Sequence, residues 1–322
     1  MRSGRSVTGV AAALAMVVLA AGCGDDPPSR ADVLGDVADD VAIPGFESFA
    51  DSTSDLVEQV DETCEAIEGE AIDDTLASIE ATRRQWLTTQ ATWTGPVMER
   101  RSPAVIDWPI RIADIEALIE RSAPGEIIAD VIGNTVGADT RGLTAMRWVL
   151  THDDVTDLLV DERWCDYLRA NAEVMASEAD LIVADWNDSW DGGDPFAEVI
   201  ADDGEADRWL EMLVNDSIFL VHRLTEEPRD EGDLPPVDVT ADRSAQIEGI
   251  DHVYDALEPL LGDDLAERLG DEIEAADEAF AAGDLDEGRA LAADVEATLA
   301  TEVAARLDVT IGFSDADGDS AG

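Results

Sequence analysis

Ile72-Asp73-Asp74-Thr75-Leu76-Ala77-Ser78-Ile79-Glu80-Ala81-Thr82-Arg83-Arg84-Gln85-Trp86-Leu87-Thr88-Thr89-Gln90-Ala91-Thr92-Trp93 is the stretch that decides the fold. Ile72, Leu76, Ile79, Arg83, Trp86, Gln90 and Trp93 recur at alternating four- and three-residue steps. That is the spacing of a helix burying one stripe against neighbouring helices. Two members, Arg83 and Gln90, are polar, so the seam must provide partners for them.

The same period runs through most of the chain. Phe46, Phe49, Leu56, Val60, Cys64 and Ile67 share a helix face that Gly69 is expected to end. After the Gly95-Pro96 break, Asp107-Trp108-Pro109 is expected to open a helix carrying Ile112, Ile115 and Ile119. A long helix over 161–186 has Trp164 or Cys165, then Leu168, Ala172, Met175, Ala179, Ile182 and Trp186 on its inner side. Further helices are expected over 206–224, 244–261, 264–281 and 285–307. No alternating strand pattern competes, apart from a short apolar end at Val309–Phe313. The expected fold class is all-α, two up-and-down helical bundles packed side by side. Asp191-Gly192-Gly193-Asp194-Pro195 is the natural lobe boundary, giving an N-terminal bundle over 43–190 and a C-terminal bundle over 191–314.

The N-terminus reads as a targeting segment. Arg2 and Arg5 precede an apolar run from Val10 to Ala21, which is too short for a stable membrane span. It ends at Leu19-Ala20-Ala21-Gly22-Cys23, which resembles a bacterial lipobox. Residues 1–22 are therefore expected to be a lipoprotein signal peptide, and Cys23 the acylated residue that ties the chain to the membrane. Residues 23–42, acidic and containing Pro27 and Pro28, are expected to be a tether. Residues 315–322 read as an acidic tail.

The formal net charge is −55, and all twenty basic residues are arginine. Such a charge opposes nucleic acid as a partner. The acids are spread along the chain, which suits a solvated surface adapted to high salt better than a dedicated cation store. Of the three cysteines, Cys23 goes to lipid, leaving Cys64 and Cys165 as an even pair expected to form a disulfide in an oxidising compartment.

One further segment carries the functional argument: Arg141-Gly142-Leu143-Thr144-Ala145-Met146-Arg147-Trp148-Val149-Leu150. It resembles the Gly-x-His-x-x-Glu signature of the imelysin-like family. Other segments resemble that family in the same order: Arg84 through Pro96, Asp107-Trp108-Pro109-Ile110, Arg163 through Leu168, and the ending Ile311 through Asp319. The resemblance implies an all-α envelope protein connected with bacterial iron uptake and once classed as a metallopeptidase. In this chain Thr144 stands at the position of the family's histidine and Arg147 at that of its glutamate.

On a helix, the three-residue step would aim an imidazole and a carboxylate at one metal ion. Thr144 supplies only a weak neutral oxygen, and Arg147 a fixed cation that repels a metal. No catalytic residue and no cofactor are expected; iron or another divalent cation stays open only through ligands outside the motif. An arginine on a partly apolar face needs an acid, and Asp107 is the first candidate partner, with Arg83 and Gln90 able to join. Gly142, Thr144, Arg147, Asp107, Trp108, Pro109, Arg83 and Gln90 therefore make up the candidate site, either an anion pocket or an ion-paired core. Asp315, Asp317 and Asp319 copy the start of a calcium loop but lack its closing glutamate, and are the lesser metal alternative. His222, within an apolar run, reads as a core histidine.

The expectation is a lipid-anchored cell-envelope protein, on the outer face of a bacterial membrane, with a non-enzymatic binding or accessory role. As the resemblance implies, its partners would be iron-uptake components. A metallopeptidase and a structural acidic surface lipoprotein are the alternatives.

Overall fold

A computed structural model describes residues 28–228 and 237–312. Cys23, Asp315, Asp317 and Asp319, with the expected signal peptide and tail, lie outside the described residues. The helices are α1 (Arg30–Asp36), α2 (Ile43–Ala66), α3 (Gly69–Thr88), α4 (Pro96–Arg100), α5 (Pro103–Ile106), α6 (Ile112–Arg121), α7 (Ala129–Asn134) and α8 (Leu143–Leu150). They continue with α9 (Val155–Leu159), α10 (Glu162–Asn187), α11 (Phe196–Ile200), α12 (Ala206–Thr225), α13 (Val239–Leu261), α14 (Asp263–Ala281), α15 (Leu285–Thr298) and α16 (Ala304–Leu307). Among the described residues there is no strand, only a single bridge between Asp107 and Gly142.

Three long helices, α2, α3 and α10, pack together in the first half, and α12 to α15 in the second. Threonines mark the closest lines of the α2–α3 pair: Thr63 and Thr75 hydroxyls meet at 2.7 Å, and Thr82 donates to the Ser52 carbonyl. The apolar stripes read from the sequence are buried: Phe46, Phe49, Leu56, Val60, Ile79, Trp86, Leu168 and Ile182 are 0–1% exposed. One contiguous core runs through both halves. The expected bridge joins Cys64 of α2 to Cys165 of α10, with a Cα–Cα distance of 5.6 Å.

Three expectations are corrected. Residues 30–42, expected to belong to the tether, are helical and packed: α1 passes through a wide π turn over Val37–Ala42 into α2. Val33, Leu34, Val37 and Ala38 supply an apolar side that acidic composition masked, and α1 lies against α11, α12 and α13 of the second half. A capping box at Ser29 and Asp32 starts it. Next, α2 ends at Ile67 in the left-handed region (φ 46°), whose N–H bonds the Thr63 carbonyl, and Gly69 opens α3 instead. Finally, His222 is exposed on α12 and pairs with Glu296 at 3.0 Å, because the apolar run around it spreads over more than one helix face.

The halves meet where α3 faces α13. Arg83 bonds Asp242 and Gln90 accepts from Gln246, so both polar breaks in the α3 seam find their partners on α13. Asp242, Gln246 and Gly249 are spaced four and three apart and so share one face of α13. Gly249 must be glycine: a Cβ there would lie 2.0 Å from the Thr88 carbonyl oxygen.

Candidate functional site

The motif's glycine comes first in the physical order. Gly142 has φ 91°, a region that side chains rarely occupy, and a Cβ would lie 2.5 Å from the Ile106 oxygen. That close approach lets Gly142 bridge to Asp107, while its N–H donates 2.9 Å to Asn171 Oδ1 on α10. The start of α8 is thereby held against the Asp107 strand-like stretch. The expected helix opening at Asp107-Trp108-Pro109 moves to Ile112, because Asp107 is held extended in its bridge to Gly142 and the chain is still extended at Arg111. Trp108 is 46% exposed, and Pro109 is exposed beside it.

With that backbone fixed, four elements converge. Thr144 Oγ1 donates to Asp107 Oδ1 at 2.6 Å, and Arg83 Nη1 donates to Asp107 Oδ2 at 2.6 Å. Arg83 also reaches Asp242, from Nε at 3.2 Å and from Nη2 at 3.1 Å. Arg147 pairs with Glu80 at 2.7 Å, and Glu80 lies one turn before Arg83 on α3. The Arg83, Asp107 and Asp242 side chains are 12–15% exposed, so the cluster is nearly dry.

Electrostatics follow from that burial. Loss of solvent works against the Arg83 guanidinium, but Asp107 and Asp242 overcome it and hold its pKa above the ordinary arginine value. Burial pushes the Asp242 carboxyl upward; Arg83 pulls it back and Asp107 adds repulsion, leaving it above the usual carboxylate value. Two guanidiniums and three carboxylates thus form one continuous arrangement.

The structure brings together Arg83, Asp107, Gly142 and Thr144, with Arg147 on the flank. It corrects one pairing: Arg147 takes Glu80, not Asp107, whose two oxygens are occupied by Thr144 and Arg83. Gln90 lies outside the cluster with Gln246. Asp242, Glu80 and Asn171 were not singled out from sequence. Asp242 had a visible signal, since it stands four residues before Gln246 and seven before Gly249, on the side of α13 that meets α3. Glu80 stood three residues before Arg83 and looked like one more solvated acid.

The family's histidine and glutamate imply a divalent ion, and the residues present here do not fit one. Both Asp107 oxygens are taken, Glu80 is paired, and two guanidiniums hold the positive charge that a metal would bring. Among the described residues no group of three or more His, Cys, Asp or Glu is arranged to hold a metal ion.

Comparison with known proteins gives the family. No curated protein sequence matches significantly. Two solved structures share the fold over 88% of this chain and 97% of their own. An imelysin-like protein from Psychrobacter arcticum 273-4 superposes with a TM-score of 0.72 at 17% identity. An iron-regulated protein A precursor from Parabacteroides distasonis ATCC 8503 superposes with a TM-score of 0.67 at 14% identity. The imelysin family model matches residues 42–311, from the last turn before α2 to the end of the described core, and so takes in every element that builds the Arg83 cluster. With the family model spanning that whole region, the chain belongs to the imelysin family.

Proposed function

We propose that this protein is an exported, lipid-anchored member of its family that works in the cell envelope as a non-enzymatic binding or accessory protein. Iron acquisition is the process to which the iron-regulated neighbour points. The anchor would be Cys23, followed by a tether shorter than the sequence suggested, since the packed chain begins by residue 30. Among the described residues no helix is long and apolar enough to cross a membrane.

One observation carries the reading: at the motif, both oxygens of Asp107 are satisfied by Thr144 and Arg83. A peptidase of this type needs a metal-activated water, and a metal needs unsatisfied donors. The arrangement favours a cation-filled keystone between the two halves over a hydrolytic centre. Binding work would then fall to the surface, where Trp108 stands exposed beside the cluster.

The test is metal stoichiometry with a peptidase assay on the same sample. The purified chain is equilibrated separately with Fe(II), Zn(II) and Ca(II), desalted, and analysed for metal per protein and for casein cleavage. Substoichiometric metal with no cleavage is expected. One tightly held transition ion per chain, with metal-dependent cleavage, overturns the proposal. Labelling of Cys23 by a palmitate analogue in a bacterial host tests the anchor separately, and a cytoplasmic, unlabelled product removes it.

A further inference from the structure

We propose that the outer face of α12 around Phe219 is the docking surface for this chain's own C-terminal segment, with Phe313 seated on Phe219 and Asp315 drawn to Arg223. Phe219 is 46% exposed, although its neighbours Ile218 and Leu220 are buried. The described chain ends at Gly312, beside this same face.

The path of the chain sets the direction. From α15 to α16 it runs antiparallel to α12: Arg289 donates to the Thr225 carbonyl, Glu296 pairs with His222, and Arg30 ties the Leu307 carbonyl to Asp207. Asp308, left-handed at φ 53°, then turns the chain back. Asn215 holds the returning stretch at two points: its Nδ2 donates to the Thr310 carbonyl, and its Oδ1 accepts from the Gly312 N–H, both at 3.0 Å. Asp207 to Asn215 is about 12 Å of helix, and four extended residues beyond Leu307 cover about 13 Å. The chain is therefore stretched along α12 and heads for Phe219.

Side-chain alternation sets the register. Val309 and Ile311 are partly buried and pack on the core, whereas Thr310 and Gly312 are exposed. An extended chain turns every second side chain to one side, so Phe313 is the next to face α12. Phe219 lies one turn past Asn215, about 6 Å on, within reach of a phenylalanine one residue past Gly312. Asp216 flanks that stretch of helix, and the segment passes it with an aromatic ring instead of an acid. Its first carboxylate, Asp315, falls about 10 Å beyond Gly312, level with the exposed Arg223. Covalent continuity decides the occupant: a second copy or another protein would have to displace a segment tethered one residue away.

Nuclear magnetic resonance of the full chain carrying C23S, with phenylalanine rings labelled and assigned through F219L and F313L, tests the proposal. Ring-to-ring contacts between Phe219 and Phe313 are expected, independent of protein concentration. Their absence overturns the docking, and contacts that vanish on dilution overturn it by giving the face to a second copy. Thermal unfolding supplies a second readout that does not depend on assignment. F219A, F313A and F219A/F313A should lower the Tm by the same amount, because each breaks one shared contact. Additive losses, or no loss in F313A, overturn the pairing. At low salt R223E should weaken the ring contact severalfold and R223E/D315R should restore it, whereas no change in either removes the Arg223 contact.

Discussion

Thr144 Oγ1 donates a 2.6 Å hydrogen bond to Asp107 Oδ1, so the residue standing where the family has its histidine serves a carboxylate instead of a metal. The carboxylate's other oxygen takes Arg83. Removing the Thr144 hydroxyl leaves a nearly dry acceptor one bond short. T144V should therefore lose about 1–3 kcal/mol in urea unfolding, and T144S should keep most of it. Equal stability of T144V and wild type would mean that the bond contributes nothing.

Reversing the other altered motif position sets two acids against each other. Arg147 is 2.7 Å from Glu80, which is 37% exposed, so solvent weakens the effect. R147E should cost about 1–3 kcal/mol, and the swap E80R/R147E should recover most of that. The double-mutant cycle measures the pair directly.

Two buried arginines should respond oppositely to loss of charge. R83M strands Asp107 and Asp242 and should cost about 3–5 kcal/mol, the usual result of breaking one side of a buried pair. Arg243 is 6% exposed, its Nη2 donates to the Glu226 carbonyl, its guanidinium lies 5.9 Å from the Phe280 ring centre, and among the described residues its Nη1 has no hydrogen-bond partner. Burial and nearby Arg289 lower its pKa, which marks a cation held at a cost. R243M should be neutral or stabilising, and thermal unfolding of both variants side by side decides it.

Asp242 gives a pH signature. Burial raises its folded pKa above the unfolded value, although Arg83 partly opposes this. A raised carboxyl pKa means that the folded state holds the proton more tightly, so its ionisation removes stability as pH rises from below the unfolded pKa to above the folded one. The stability of wild type minus that of D242N should thus be greatest in acid and shrink as the pH climbs through the carboxylate range. A difference that grows instead would show that Arg83 prevails over burial.

The Cys64–Cys165 bridge closes a loop of sequence separation 101 between α2 and α10. In the chain-entropy model such a closure is worth about 4–5 kcal/mol. C64A/C165A should lose about that much, and the unreduced wild type should resist alkylation even when denatured. Labelling of both thiols without reductant would refute the bridge.

The helical stripes were legible because helix periodicity is local: Ile72, Ile79 and Trp86 need only their own spacing to declare a buried face. The disulfide was legible through parity and compartment. The start of the packed chain was not, because Asp36, Asp39 and Asp40 hide the apolar side formed by Val33, Leu34 and Val37 until α1 has α12 and α13 to lie against. The altered motif could be read as a cation replacing a metal ligand. Which acid each arginine takes could not, since Glu80, Asp107 and Asp242 look alike among 75 acids.

By itself the sequence determined an all-helical chain, the family resemblance, the residues at the motif and the polar breaks at Arg83 and Gln90. Only the tertiary structure decided that those breaks face α13, that Arg147 belongs to Glu80, and that Asp107 is shared between Thr144 and Arg83. The reason is range. Periodicity and side-chain chemistry act within a few residues of chain, whereas an ion pair across 159 residues, Arg83 to Asp242, exists only after two helices have packed.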